Sequence, residues 1–522
     1  MIRALALPLL CLATALVAAG CGDSGSSSGD ADPAALVPAG APVYVQAAVQ
    51  PQGERRDDAL AAAGKLLRTD DPTGKLRSLV DDALAKDGSG LTWEKDFAPW
   101  LGEDAGVWVT NLQAPEPSYA AIVPTKDAEA AKAALGRFRE QDEDSAYTDR
   151  SHGDVDYAVD GEGVANGIVD DYVVIGTEDA FKRTADMTDD GAALADSDRY
   201  KDAIGDEADD SLGHFYLDLK PVIDAAVRRD PQAAAQLRQM QALFPFDKLG
   251  PISGSFDADG EGMGLETVMT GVPEGPFRDL MELHTGSEAS LLADLPGDAW
   301  GALAAPQLGK SAESMLNGFA GAIGGAAVAG QVKQATGLDL SQDIFSWVGD
   351  VGGFIRGEKE AALDGALVIQ ATDDAKAARS FGKLMGLVAK EADVTPRPVQ
   401  LGNADSAFSL AAPGSPKPVV VARGEGKVVV GFGRQAAAAA LSPSSSLSDS
   451  DLYGDAKEAL GDDAAPAFLL SMPAVLTLID AMGQADPDFE EARPYLEAIG
   501  SLASGGTADG DRVESRMVAT FR

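Results

Sequence analysis

The chain has 522 residues, with 83 Asp and Glu against 42 Lys and Arg and a formal charge of −41. Its 45% hydrophobic fraction is that of a globular protein with sizeable cores, which excludes an acidic disordered chain. The charge excludes nucleic acid and broad anionic lipid surfaces as partners, because the basic residues cluster no further than pairs such as Arg55-Arg56 and Arg228-Arg229.

Arg3 forms a minimal positive start, and residues 4–17 are apolar apart from Thr14. That is the length of a signal-peptide core and too short for a comfortable membrane span. The small residues Ala18-Ala19-Gly20 then precede Cys21. This pattern resembles the lipobox of bacterial lipoproteins, with Ala18 where Leu is usual. The resemblance implies cleavage after residue 20 and acylation of Cys21. Residues 1–20 are accordingly read as a signal peptide, and residues 21–33, rich in Gly, Ser and Asp, as a flexible tether. Cys11 would leave with the leader, so the mature chain would form no internal disulfide. The expected location is the cell membrane, lipid-anchored, on its extracytoplasmic side.

Beyond the tether, residues 43–49 read as a strand, and residues 57–67 and 75–85 as helices. Short apolar strands follow at 106–110 and 119–123, then an Ala-rich helix at 128–138 with Asp127 as its N-cap. Residues 155–159, 164–169 and 172–175 read as three strands, with Asp170-Asp171 as a tight turn between the last two. Two short helices, a strand at 214–219, a helix from Pro221 and a hairpin over 252–257 and 265–270 complete the segment. Strands arriving in adjacent runs predict α+β architecture with largely antiparallel sheets flanked by helices.

The later half repeats the earlier one. Asp96, Trp100, Gly102 and Gly106 are matched by Asp343, Trp347, Gly349 and Gly353, and Thr125 and Asp127 by Thr372 and Asp374, all at a spacing of 247. Tyr200 and Phe215 are matched by Tyr453 and Phe468, Val37-Pro38 resembles Leu295-Pro296, and Tyr44 resembles Trp300. The expectation is two tandem copies of one module, at 34–272 and 290–522, joined by a linker at 273–289. The repeated Asp–x3–Trp–x–Gly segment is read as structural. Trp would anchor a helix end, Gly would allow close packing or positive φ, and Asp would cap the helix.

Catalytic constellations are scarce. His152, His214 and His284 are scattered, and His214 falls on Ala467 in the repeat. The Gly-x-Ser-x-Gly match at 25–29 lies in the tether, where no strand and helix can form a nucleophile elbow. No Cys/His cluster points to zinc. Gly309-Lys310-Ser311 ends like a P-loop, but Ala304 stands where its first glycine belongs. Asp257, Asp259, Glu261 and Gly262 begin like a calcium loop, but Val268 replaces the closing Glu, so a hairpin turn is the better account. Residues 316–332, poor in polar groups, read as one buried helix, with an apolar groove lining or membrane contact as alternatives. Residues 436–440 read as a helix and 442–446 as a loop.

The doubled module, its Asp–x3–Trp–x–Gly segments and the lipoprotein leader together resemble a family of predicted actinobacterial proteins known only as a domain of unknown function. The resemblance implies an exported, surface-attached protein and transfers no active site. The leading functional expectation is a non-enzymatic envelope lipoprotein that needs no cofactor or metal and binds an envelope protein or small molecule, held between its two modules. The alternatives are a carrier of lipid or another apolar molecule, a cell-wall glycan hydrolase using paired carboxylates, and a purely structural role.

Overall fold

The computed structural model describes residues 32–522 apart from 87–89, 113–116, 143–144, 189–190, 206–210, 230–231, 233–236, 238–243, 286–290, 323–324, 360, 392–394, 412–413, 462–463 and 484–486. The expected leader, most of the tether and Cys21 lie outside the described residues. The chain is α+β and divides into two compact units, one of Met1–Ala234 with Gly250–Thr270, the other of Ala235–Leu249 with Gly271–Arg522. The expected boundary near 272 thus falls at 270/271. The segment read as a linker, 273–289, carries a helix at Pro276–Met281.

The first unit contains strands β1 (Val43–Ala48), β2 (Asp104–Thr110), β3 (Ser118–Pro124), β4 (Thr148–His152), β5 (Val155–Val159), β6 (Val164–Val169), β7 (Tyr172–Thr177), β8 (Gly213–Leu217), β9 (Ile252–Ala258) and β10 (Gly262–Met269). They pair antiparallel in the order β4-β5-β6-β7-β3-β2-β1-β8-β9-β10. The apolar runs seen in sequence are strands buried on both faces. Ile122 and Val174 join one core with Tyr44, Trp108 and Phe181, while their neighbours Val123 and Val173 join another with Trp93, Trp100 and Leu135. Asp170 takes a φ of 49° in the two-residue turn that sets Val169 opposite Tyr172, as the sequence led us to expect. Strand β4 was not expected. Four of its five residues are exposed, so it shows no apolar alternation.

The second unit contains β11 (Gly301–Ala305), β12 (Val348–Arg356), β13 (Asp364–Ala371), β14 (Arg397–Pro398), β15 (Ser406–Leu410), β16 (Val419–Gly424), β17 (Lys427–Phe432), β18 (Ala465–Ser471), β19 (Ile499–Asp509) and β20 (Arg512–Phe521). They pair antiparallel as β14-β15-β16-β17-β13-β12-β11-β18-β19-β20. One face buries Phe354, Val368, Val429 and Leu469. The opposite face carries a smaller cluster around Trp347 and Phe381, and beyond it Leu303, Leu367 and Val430 are exposed.

The segment expected as a single buried helix at 316–332 is instead shared by two helices, Leu308–Ala322 and Gly325–Thr336, on which Asn317, Ala327 and Gly330 are exposed. Its glycines and alanines supply too little apolar surface to bury every side of a continuous helix. The helix Arg434–Leu441 forms as expected, with Ala436, Ala437 and Ala440 buried. Among the described residues no helix is long and apolar enough to cross a membrane.

Two glycines separate space from conformation. A Cβ on Gly176 would lie 2.2 Å from the Tyr119 carbonyl oxygen, whereas one on Gly136, in the helix Ala128–Gln141, would meet nothing within 4 Å. Gly176→Ala should therefore destabilise the first unit by about 1–3 kcal/mol. Gly136→Ala should stabilise it by roughly 0.5–1 kcal/mol. Urea unfolding of the two variants checks both signs.

Candidate functional site

The Asp–Trp–Gly segments are locks on the backbone. Asp96 lies in the helical turn Trp93–Phe97, 2% exposed, and its Oδ2 accepts the Thr92 N–H at 2.9 Å. Its Oδ1 accepts Arg137 Nε at 2.7 Å. Trp100 Nε1 donates to the Asp96 carbonyl at 2.6 Å, and the Trp100 ring packs in the core. Gly102 donates its N–H to the Pro124 carbonyl at 2.7 Å, and a Cβ there would sit 2.7 Å from that same oxygen, so the glycine serves close approach.

The other segment repeats the geometry. Asp343 Oδ2 accepts the Asp339 N–H at 3.0 Å, Oδ1 accepts Lys383 Nζ at 2.6 Å, and Trp347 Nε1 donates to the Asp343 carbonyl at 2.8 Å. The lysine bond, then the backbone bond, hold the Asp343 carboxyl below its usual range. A Cβ on Gly349 would lie 3.0 Å from the Gln370 carbonyl oxygen. In both segments the Asp reaches back to a backbone N–H four residues earlier, which secures the entry of the turn as the expected cap would. The cations that complete the locks, Arg137 and Lys383, were not anticipated, because they stand about forty residues downstream on other helices.

Other sequence candidates resolve structurally. Asp127 caps its helix by accepting the Ala130 N–H at 2.9 Å, while Asp373, not Asp374, caps the helix Asp374–Glu391 through the Lys376 N–H at 2.9 Å. A Cβ on Gly309 would lie 2.3 Å from the Val348 carbonyl oxygen, so this glycine serves close packing at the start of the helix Leu308–Ala322. Asp259 Oδ1 accepts the N–H groups of Glu261 and Gly262 at 2.9 and 2.8 Å, closing the β9–β10 turn. His214 is buried, and its Nε2 lies 2.7 Å from the Tyr200 hydroxyl. Burial holds its pKa down at about 4, so it is a neutral core residue. His284 ends a short helical turn at Glu282–His284. Among the described residues no group of His, Cys, Asp and Glu has the arrangement of a metal site.

The candidate site is a groove of about 920 Å³ in the first unit, and it contains none of the six Asp–Trp–Gly residues. The helix Ala128–Gln141 supplies Glu129, Lys132, Leu135 and Arg139. Spacings of three to four residues put these on one helix face. The β4–β5 hairpin supplies Asp149, Arg150, His152, Asp154 and Asp156, and β6 supplies Gly167 and Ile168. A Cβ on Gly167 would fall 2.9 Å from Tyr157 Cβ and 3.0 Å from Phe181 Cζ, so only glycine fits there.

The hairpin is tied to the helix Glu178–Asp186. His152 Nε2 lies 2.6 Å from Asp186 Oδ1, Arg150 Nη1 donates to both Glu178 oxygens at 2.7 Å, and the Tyr157 hydroxyl donates to Glu178 at 3.0 Å. Lys182 most of all, with Arg150 and Tyr157, pulls the Glu178 carboxyl down to about 2. Opposite, Arg139 donates from Nε and Nη2 to the side-chain and backbone oxygens of Asn166 at 2.7 and 3.0 Å. Only spatial assembly collects these residues, and no spacing in the sequence marks them.

A family model matches residues 2–515 and is described as a protein of unknown function, DUF3352. The chain belongs to this family. The family match runs through both units and covers the groove. No curated protein matches the chain. Among solved structures, crystal form III of the treponemal protein TP0453 is 12% identical, covering 50% of this chain and 90% of that one at a TM-score of 0.25. Crystal form IV is 11% identical, covering 47% and 83% at a TM-score of 0.25.

Two predictions follow the geometry. Asp96→Ala removes a carboxyl that is 3% exposed and that accepts both the Thr92 N–H and Arg137, and should cost about 2 kcal/mol, more than Asp343→Ala, whose carboxyl is less buried. Paired urea melts check the ranking. Glu178 titrates near 4.5 when unpaired and near 2 in the fold, so its stabilisation is complete above about pH 4.5 and is lost as pH falls toward 2. Amide exchange in β4 should accelerate across that window, and Arg150→Ala should shift the acceleration to higher pH.

Proposed function

We propose that this chain is an exported protein, held on the extracytoplasmic face of the cell membrane through acylated Cys21, that binds a polar ligand in the groove of its first unit without transforming it. The observation that carries the binding role is the groove itself. Its volume of about 920 Å³ suits a ligand site, and its rim is charged. The imidazole on that rim is tied through Nε2 to Asp186, which holds His152 as part of the groove wall. This reading involves no cofactor, no metal and no nucleic acid.

We also infer that the units are copies of one module. Support comes from the strand orders, in which each strand of the first unit has a counterpart ten places on, and from the two Asp–Trp–Gly locks. On this reading the gapless spacing of 247 is off by one after Gly102. The close-approach oxygens Pro124 and Gln370, the caps Asp127 and Asp373, and the cations Arg137 and Lys383 each lie 246 apart. Gly106 then corresponds to Gly352, and Thr372 to Lys126. By register Tyr44, opposite Trp108, corresponds to Ala302, opposite Phe354, and not to Trp300.

A second reading, a carrier of an apolar molecule, has one specific observation in its favour. Leu303, Leu367 and Val430 are exposed and lie in register across β11, β13 and β17, with Gly353 between the first two.

Cys21→Ser should move the protein from the membrane to the soluble fraction on cell breakage, and retention in the membrane would remove the anchor from the proposal. Native mass spectrometry of protein extracted from its own membrane should show a discrete polar adduct lost on denaturation. An apolar adduct would favour the second reading, and anchored chain alone would count against tight binding of either kind.

A further inference from the structure

Carboxylates outnumber cations two to one in this chain, so a cation near an acidic rim has many partners to choose from. Of the basic side chains lining the groove, Arg150 meets Glu178 and His152 meets Asp186. Arg139 differs. Its two hydrogen bonds go to the oxygens of Asn166, a neutral and buried residue, and among the described residues it has no carboxylate within 4.0 Å. A guanidinium has five N–H donors, so three remain for a ligand, and the Asn166 bonds fix the plane in which they point. Lys132, two turns earlier on the same helix face, also makes no ion pair among the described residues. Burial pushes the Arg139 pKa down while Asp149 nearby pushes it up, as for a partly desolvated cation whose charge is incompletely matched.

The hairpin wall carries the opposite charge. Asp154 and Asp156 are exposed on the groove and make no ion pair among the described residues. Such a wall repels a compact multiply charged anion and attracts an ammonium group. Resting on the binding role argued above, we propose that Arg139 and Lys132 form a carboxylate subsite and that the groove takes a short zwitterionic peptide, its carboxylate on these two cations and its ammonium toward Asp154 and Asp156. The volume is that of a site for a molecule larger than a single amino acid.

Titration of the full chain with trialanine tests this, beside trialanine amide, N-acetyl-trialanine and inorganic phosphate. Trialanine should bind with a Kd below about 1 mM. The amide should bind at least tenfold more weakly, the acetylated peptide measurably more weakly, and phosphate more weakly than trialanine. Arg139→Gln should weaken trialanine at least tenfold while leaving amide binding nearly unchanged, and Arg139→Lys should restore part of the loss. Should Arg139→Gln perturb the fold by circular dichroism, Lys132→Gln at an exposed position carries the same comparison. No binding of trialanine, equal binding of its amide, or tighter binding of phosphate overturns the proposal. A native adduct that is not zwitterionic overturns it too, while leaving the binding role of the groove intact. Absence of both adduct and peptide binding removes that role as well.

Discussion

In a pleated strand successive side chains point to opposite faces, and in the first unit both faces of the central strands must be covered. Ile122 and Val123, or Val173 and Val174, are neighbours in sequence that belong to different cores. Each such pair obliges the chain to bring helices to both sides of the sheet. The helix Ala128–Gln141 answers this on one side and Glu178–Asp186 on the other, with Leu135 and Phe181 as their buried residues. The cover ends where the strands turn polar. Strand β4 carries exposed side chains that meet the helix Glu178–Asp186 through ion pairs instead of apolar burial, and the groove lies beside it. The candidate site is thus a consequence of where double-sided burial stops.

The Asp–Trp–Gly locks belong to the same logic. A helical turn must pass its chain into β2 at one height above the sheet, and a buried Asp96 fixes that height by bonding the turn's own entry and a helix on the same side. Gly102 then lets the backbone approach Pro124 closely enough to bond it. The acid, the indole and the glycine are close in sequence, so the motif was legible. Arg137 was not, because nothing local distinguishes it from Arg139 two residues on. One faces a buried carboxylate, the other an open groove. That difference lies in the packing of their helix against the sheet.

Other elements divide the same way. Apolar runs such as residues 119–123 and 172–175 announced their strands, and Asp170-Asp171 announced its turn. Strand β4 was hidden, because an edge strand with one solvated side needs no apolar pattern. The repeated segments were legible as a pattern but not as an alignment. On the proposed reading of two copies, the one-residue shift falls where the β12 register is itself irregular, between Val348 and Val351, and coincident Gly, Thr and Asp residues kept the gapless match plausible.

The groove does not depend on its ion pairs for shape. His152–Asp186 and Arg150–Glu178 link partly exposed groups, and such pairs stabilise by roughly 0–1 kcal/mol each. What holds the hairpin is burial. Tyr157 is 4% exposed and stacks on Phe181 with ring centroids 4.7 Å apart, while β5 pairs with β6 over Tyr157–Val159. Burying an aromatic ring of this size outweighs both ion pairs together. Charge can therefore be distributed on the rim for recognition instead of for folding. In so acidic a chain, Lys132 and Arg139 on one helix face make no ion pair among the described residues, and the N–H donors that Arg139 does not spend on Asn166 are the part of the rim left for recognition.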